Sequence, residues 1–177
     1  MANKIITIFG TGRAKSGDEI FELAERMGRL VAEGGFVIAN GGYGGTMLAA
    51  AKGAREAGGE VIGVTCSAFS SKANEYISKE IVTGSLEERL NKLIEPGAGY
   101  IVLPGGTGTL LELAMVWELK NKGFLPKNKP VIIVGDFWKG LLRTIESDDA
   151  GSSRYLERVG KPEEAVALLK ARLSEGI

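Results

Sequence analysis

The chain has no histidine and only one cysteine, Cys66, among its 177 residues. The first absence removes the usual neutral-pH general base and the commonest metal ligand. The second excludes an intrachain disulfide and any zinc–thiolate or iron–sulfur cluster built by one chain. Cys66 also lacks the imidazole that usually activates a nucleophilic thiol. Acid–base work must therefore fall to Asp, Glu, Lys, Arg or Tyr. An excess of charge is missing as well: 22 basic residues stand against 22 acidic ones, and the formal net charge is zero. With no basic run, the chain offers nothing for a nucleic-acid backbone or a membrane surface to track. No apolar stretch reaches the roughly 20 residues of a membrane helix. The sequence passes from Met1 into a strand-like run without the basic region and apolar segment of a signal peptide. These absences predict a cytoplasmic protein with no metal, no cofactor and no nucleic-acid partner.

Glycine is the opposite case. The 26 glycines are about twice the roughly 7% of average usage, and they cluster where strand-like segments give way to helix-like ones. Strands are predicted at 4–9, 36–40, 60–64, 100–103 and 131–134, with a short one around 81–82. Helices are predicted at 16–33, from about 46 to 57, 85–95, 109–122, 138–145 and 162–173. Residues 65–76 form the longest irregular stretch of the first half, and the polar segment 146–153 joins the last two helices. Continuous apolar strands alternating with helices imply an α/β fold: a Rossmann-like doubly wound parallel sheet in a three-layer α/β/α sandwich. The length supports one such domain, residues 1–177, and no segment reads as a linker. Ligands of such sheets bind at the carboxyl ends of the strands, near the point where strand order reverses.

Three glycine-rich loops fall at that edge. The first contains Gly10-Thr11-Gly12-Arg13-Ala14-Lys15-Ser16. It lacks the glycine of a P-loop before Lys-Ser, and the third glycine of a dinucleotide fingerprint is displaced to Gly17. Asn40, where a ribose-binding acid would end the second strand, also disfavours a hydride-transfer cofactor. Gly10 and Thr11 remain candidates for touching a sugar or phosphate, with a merely tight strand–helix turn as the alternative. In the second loop, Gly41-Gly42-Tyr43-Gly44-Gly45-Thr46, that much glycine costs backbone entropy, so something must approach closely. Gly42, Gly44, Gly45 and Thr46 are candidate ligand contacts, with a neighbouring helix or loop as the alternative. The third, Pro104-Gly105-Gly106-Thr107-Gly108-Thr109, leaves a buried strand and opens a helix. Helix N-termini carry unpartnered N–H groups and positive potential, so Gly105, Gly106, Thr107, Gly108 and Thr109 read as a phosphate cradle.

Glu112 follows one turn later, roughly 5 Å along the helix axis from Thr109. Thr109-x-x-Glu112 has the form of a capping box, as do Ser16/Glu19 and Ser85/Glu88, so a helix clasp is one reading. The other starts from its neighbours, Leu110, Leu111, Leu113, Ala114, Met115, Val116 and Trp117. A helix apolar all round is expected to be buried, and a buried carboxylate wants a cation or a raised pKa. No cation lies three or four positions away. Arg89 is the candidate partner, since it borders the stripe Leu86, Leu90, Leu93, Ile94 and has no acid three or four positions away on its helix. A solvated surface arginine is the alternative.

Pro-Gly-Gly-x-Gly-Thr-x-x-Glu at 104–112, an arginine fifteen residues before its proline, and Gly-Gly-Tyr-Gly-Gly-Thr-Met at 41–47 resemble the lonely-guy (LOG) family, often labelled "possible lysine decarboxylase". Trp117 and Lys129-Pro130-Val131 also fit that pattern, and the resemblance spans roughly residues 5–145. It implies hydrolysis of a nucleoside 5′-monophosphate, such as a cytokinin ribotide or AMP, to free base and ribose 5-phosphate. It implies Arg89 and Glu112 as the catalytic pair, and a homodimer or higher homo-oligomer. The chain departs from the family at Leu90 (usually lysine), Leu86 (methionine) and Ala98 (aspartate), and its first loop lacks the usual serine. It therefore resembles a divergent branch near the molybdenum-cofactor carriers, which bind rather than hydrolyse. A non-catalytic nucleotide or molybdopterin-type carrier is the alternative.

Overall fold

The computed structural model describes residues 4–174. Seven strands form one parallel sheet: β1 (Ile5–Phe9), β2 (Val37–Asn40), β3 (Val61–Cys66), β4 (Lys79–Thr83), β5 (Gly97–Val102), β6 (Val131–Val134) and β7 (Leu156–Val159). Their spatial order is β4-β3-β2-β1-β5-β6-β7, and every neighbouring pair runs parallel. The order reverses between β1 and β5, the place where such sheets open a crevice. Phe9 of β1 pairs with Val102 of β5, so Gly10 and Leu103 leave the sheet side by side.

Alternation along the strands supplies both faces. Ile6, Ile8, Ile101, Leu103, Ile132 and Val134 join one apolar cluster, with residues of α1 (Glu19–Glu33), α2 (Thr46–Glu56) and α6 (Pro162–Ser174). Phe9, Tyr100, Val102, Val131 and Ile133 join the other, with α3 (Leu86–Ile94), α4 (Thr107–Asn121) and α5 (Lys139–Asp148). This is the predicted three-layer sandwich, since period-two side chains buried on both faces need helices on both. No helix among the described residues is long and apolar enough to cross a membrane.

Several local expectations need correction. β7, Leu-Glu-Arg-Val, is a half-exposed edge strand whose charged pair hides the apolar signal. A 3-10 turn at Ser152–Tyr155 leads into it. The Ser16/Glu19 capping box does not form, because α1 starts at Glu19 with Asp18 as its N-cap. The Asp18 carboxylate instead accepts the Lys15 N–H at 2.8 Å. At α3 the Ser85 hydroxyl does cap the Glu88 N–H at 3.1 Å, but Glu88 returns the bond to the Gly84 N–H. α4 is not buried all round: it packs Leu113, Val116, Trp117 and Lys120 inward, and leaves Leu111, Ala114 and Glu118 exposed.

α1 and α2 lie in close contact because each presents a glycine to the other. A Cβ at Gly28 would collide with the Ala50 carbonyl, and one at Gly53 with the Glu25 carbonyl. Gly53→Ala is therefore expected to destabilise the protein by about 2–3 kcal/mol in urea unfolding, overpacking outweighing alanine's helix propensity. At Gly140 of α5 a Cβ would meet nothing within 4 Å. There the same substitution should stabilise by up to about 1 kcal/mol, and equal effects at both positions would refute this packing account.

Candidate active site

The β1 and β5 loops flank the crevice and are tied to each other. Thr11 N–H donates to the Pro104 carbonyl at 3.2 Å, while the Thr11 carbonyl accepts Thr46 N–H at 2.8 Å and Thr46 Oγ1 at 3.0 Å. On the far side, Trp138 Nε1 donates to the Leu103 carbonyl at 3.0 Å. The cleft between them holds about 850 Å3 and contains Gly10, Thr11 and every residue from Pro104 to Thr109, together with Arg89 and Glu112.

α4 begins two residues earlier than expected, with Gly106 as an N-cap that has no side-chain hydrogen bond. Its first backbone bond at that end runs from Leu110 N–H to the Gly106 carbonyl at 2.9 Å. The N–H groups of Thr107, Gly108 and Thr109 thus precede the ladder and face the cleft end of the helix. A Cβ at Gly105 would strike the Thr109 side chain, but at Gly106 and Gly108 it would meet nothing within 4 Å. The protein's own packing does not require glycine at those two positions, and their absence of side chains leaves the helix terminus bare.

With Gly106 as N-cap, Glu112 lies beyond the first turn, so it is not part of a capping box with Thr109. Its side chain is 14% exposed, and its Oε1 stands 4.0 Å from Arg89 Nη1. Burial raises its pKa from 4.5 to about 7, against the opposing pull of Arg89. Arg89 is itself buried. Its Nε donates to the Val64 carbonyl at 2.8 Å and its Nη2 to the Gly41 carbonyl at 3.2 Å. The guanidinium also sits 5.5 Å from the Tyr43 ring centroid and 5.8 Å from that of Phe69, within cation–π range. Tyr43 is held in turn, its hydroxyl accepting the Cys66 N–H at 2.8 Å. The long-range pairing of Arg89 with Glu112 read from the sequence is present.

The second glycine loop has a different place. Gly42, Gly44, Gly45 and Thr46 do not line the cleft, whereas Tyr43 and Met47 do. Close approach by the protein itself accounts for three of its four glycines: a Cβ at Gly41 would collide with Arg89, one at Gly42 would crowd Thr65 and Gly63, and one at Gly45 would strike Thr11 and Gly12, while at Gly44 it would meet only ordinary contact. Gly42 and Gly45 also have φ values of +76° and +65°, which favour glycine. Cys66 is buried and outside the cleft lining.

Sequence reasoning missed Tyr43, Met47, Phe69 and Phe137 as cleft residues. Phe137 follows β6 at the carboxyl edge of the sheet, so the edge rule applied to every strand would have found it. Its ring meets Trp138 edge-on at 4.9 Å. Among the described residues no three His, Cys, Asp or Glu side chains converge. The cleft is lined by the glycine-loop backbone, aromatic rings, two guanidiniums and one carboxyl of pKa about 7. Such a carboxyl exchanges its proton near neutrality, which suits acid–base or electrostatic work beside a bound anion.

Known proteins are similar to this chain in sequence and in fold. Residues 3–166 match the SLOG cluster4 family. An uncharacterized protein of Archaeoglobus fulgidus is 32% identical over 75% of this chain and 86% of its own length. A cytokinin riboside 5′-monophosphate phosphoribohydrolase of Rhodococcoides fascians is 31% identical over 81% of this chain and 74% of its own. Among solved structures, the molybdenum cofactor binding protein of Rippkaea orientalis superposes with a TM-score of 0.78 at 29% identity, covering 98% of this chain and 99% of that one. From the match over nearly its whole length, the chain belongs to the SLOG cluster4 family, with LOG phosphoribohydrolases and molybdenum-cofactor carriers among its relatives.

Proposed function

We propose that the protein hydrolyses the N-glycosidic bond of a nucleoside 5′-monophosphate to free base and ribose 5-phosphate. The observation that carries this reading is a buried carboxyl of pKa about 7, paired with Arg89, in the same cleft as a bare helix N-terminus. Relatives named as phosphoribohydrolases support it. The α4 amides take the 5′-phosphate, adding the helix dipole to their hydrogen bonds. Ionised Glu112 faces the ribose and stabilises the positive charge that grows there as the C–N bond breaks. Water then forms the new bond to the anomeric carbon, giving one proton to the departing base. Arg89 holds Glu112 in place and keeps its pKa from rising further. A homo-oligomer belongs to the same reading, supported by the exposed apolar side chains of Leu86 and Leu111 beside the Arg89–Glu112 pair.

The carrier reading has its own support, in a fold match to a molybdenum cofactor binding protein across nearly both chains. The two part on turnover. Incubation with AMP, GMP, CMP, UMP and isopentenyladenosine monophosphate, with chromatography of the products, is expected to show catalytic release of at least one base. No release at high enzyme concentration and long times would sink the hydrolase and leave the carrier.

A further inference from the structure

Arg13 holds the cleft's uncommitted charge. Three charged side chains line the cleft, Arg13, Arg89 and Glu112, and the last two face each other. Arg89 has two carbonyl acceptors besides. The Arg13 guanidinium has no hydrogen bond, ion pair or ring contact among the described residues. Its backbone, by contrast, is fixed. Arg13 N–H donates to Thr11 Oγ1 at 3.1 Å, and Thr11 is bonded to both Pro104 and Thr46. Its neighbour Gly12 also packs against Gly45, where a Cβ would collide with it. An exposed guanidinium without a partner, on a fastened loop, thus lines the same cleft as the bare α4 N-terminus.

We infer that Arg13 is the positioning residue for the ligand's phosphate, closing over the anion from the side opposite the α4 amides and selecting phosphomonoesters over their unphosphorylated counterparts. This rests on the phosphate-binding half of the proposed function, and hydrolysis is not required for it. Once Glu112 is ionised it and Arg89 neutralise one another, so without Arg13 the anion would then meet only partial positive charges. A guanidinium adds a full charge and paired donors matched to phosphate oxygens.

Calorimetric titration with AMP, ribose 5-phosphate and adenosine tests the inference on wild type, Arg13→Ala, Arg13→Lys and Lys15→Ala. Arg13→Ala is expected to weaken AMP and ribose 5-phosphate by about 10- to 100-fold, the usual range for a lost charge-assisted bond, and to leave adenosine unchanged. Arg13→Lys should recover part of the loss, and Lys15→Ala should match wild type. Added salt should narrow the gap between wild type and Arg13→Ala. Equal AMP affinity in wild type and Arg13→Ala overturns the inference, as does parallel loss of AMP and adenosine, which marks a loop defect. Wild type that binds neither phosphomonoester overturns it too. A wild type that binds AMP without hydrolysing it, yet loses it in Arg13→Ala, refutes the hydrolase alone and upholds Arg13.

Discussion

Glu112→Gln is expected to abolish most turnover while making the protein more stable at alkaline pH. The rate loss should be about 10²-fold or more, the usual scale for a lost acid–base or electrostatic group. The stability gain follows from linkage. Folding raises the Glu112 pKa from 4.5 to about 7, so between those values the native state binds a proton that the unfolded chain does not. This group's favourable contribution is complete below pH 4.5 and is lost as pH rises through 7. Above that, a buried charge is carried at a cost of roughly 2–3 kcal/mol, which glutamine removes. Thermal melts at pH 8.5 should therefore place Glu112→Gln about 4–10 °C above wild type, with the difference shrinking toward pH 4.5. A variant that loses activity without this pH-dependent gain would show that Glu112 is not held as a buried, high-pKa acid.

Arg89→Met carries the second large effect, with the opposite sign in stability. The methionine stem keeps much of the volume but strips the acceptors Val64 and Gly41 of their donor and leaves Glu112 without a counter-charge. Breaking a buried pair by removing one partner costs about 3–5 kcal/mol, and the loss should be greatest above pH 7, where Glu112 must ionise. Wild-type kcat/KM should rise with pH and level off past about 7, as Glu112 becomes a carboxylate. In Arg89→Met the rate at neutral pH should fall about 10²-fold, with the inflection moved to higher pH because the pull that Arg89 exerts on Glu112 is gone. An inflection that stays in place would remove Arg89 from the control of that proton.

Much of this was legible in residue order because the informative signals are local. Apolar runs between glycine clusters mark the inner strands, and a glycine turn opening a helix raises the expectation of an anion site whatever surrounds it. The pairing of Arg89 with Glu112 was reachable from the sequence, since neither has an opposite charge three or four positions away on its own helix. β7 was not legible, because its Glu157 and Arg158 carry the polarity of a half-exposed edge. Nor was the purpose of Gly41, Gly42 and Gly45. A glycine cluster signals close approach but not what approaches, and for Gly41, Gly42 and Gly45 the protein's own guanidinium, β3 and first loop come that close. The aromatic rings were missed for a related reason: Tyr43 and Phe69 reach the cleft from loops without periodicity, by packing on Arg89.

The missing side chain at position 41 ties two distant sites into one inherited unit. A Cβ there would overlap the Arg89 guanidinium and the Met47 sulfur, so a side chain at 41 requires both of those groups to move from their present places. Exchange of Arg89 for a short residue opens that space, and a side chain then placed at 41 competes for it with a restored arginine. A glycine at 41 and the seated arginine are thus two halves of one packing arrangement, although 48 residues separate them.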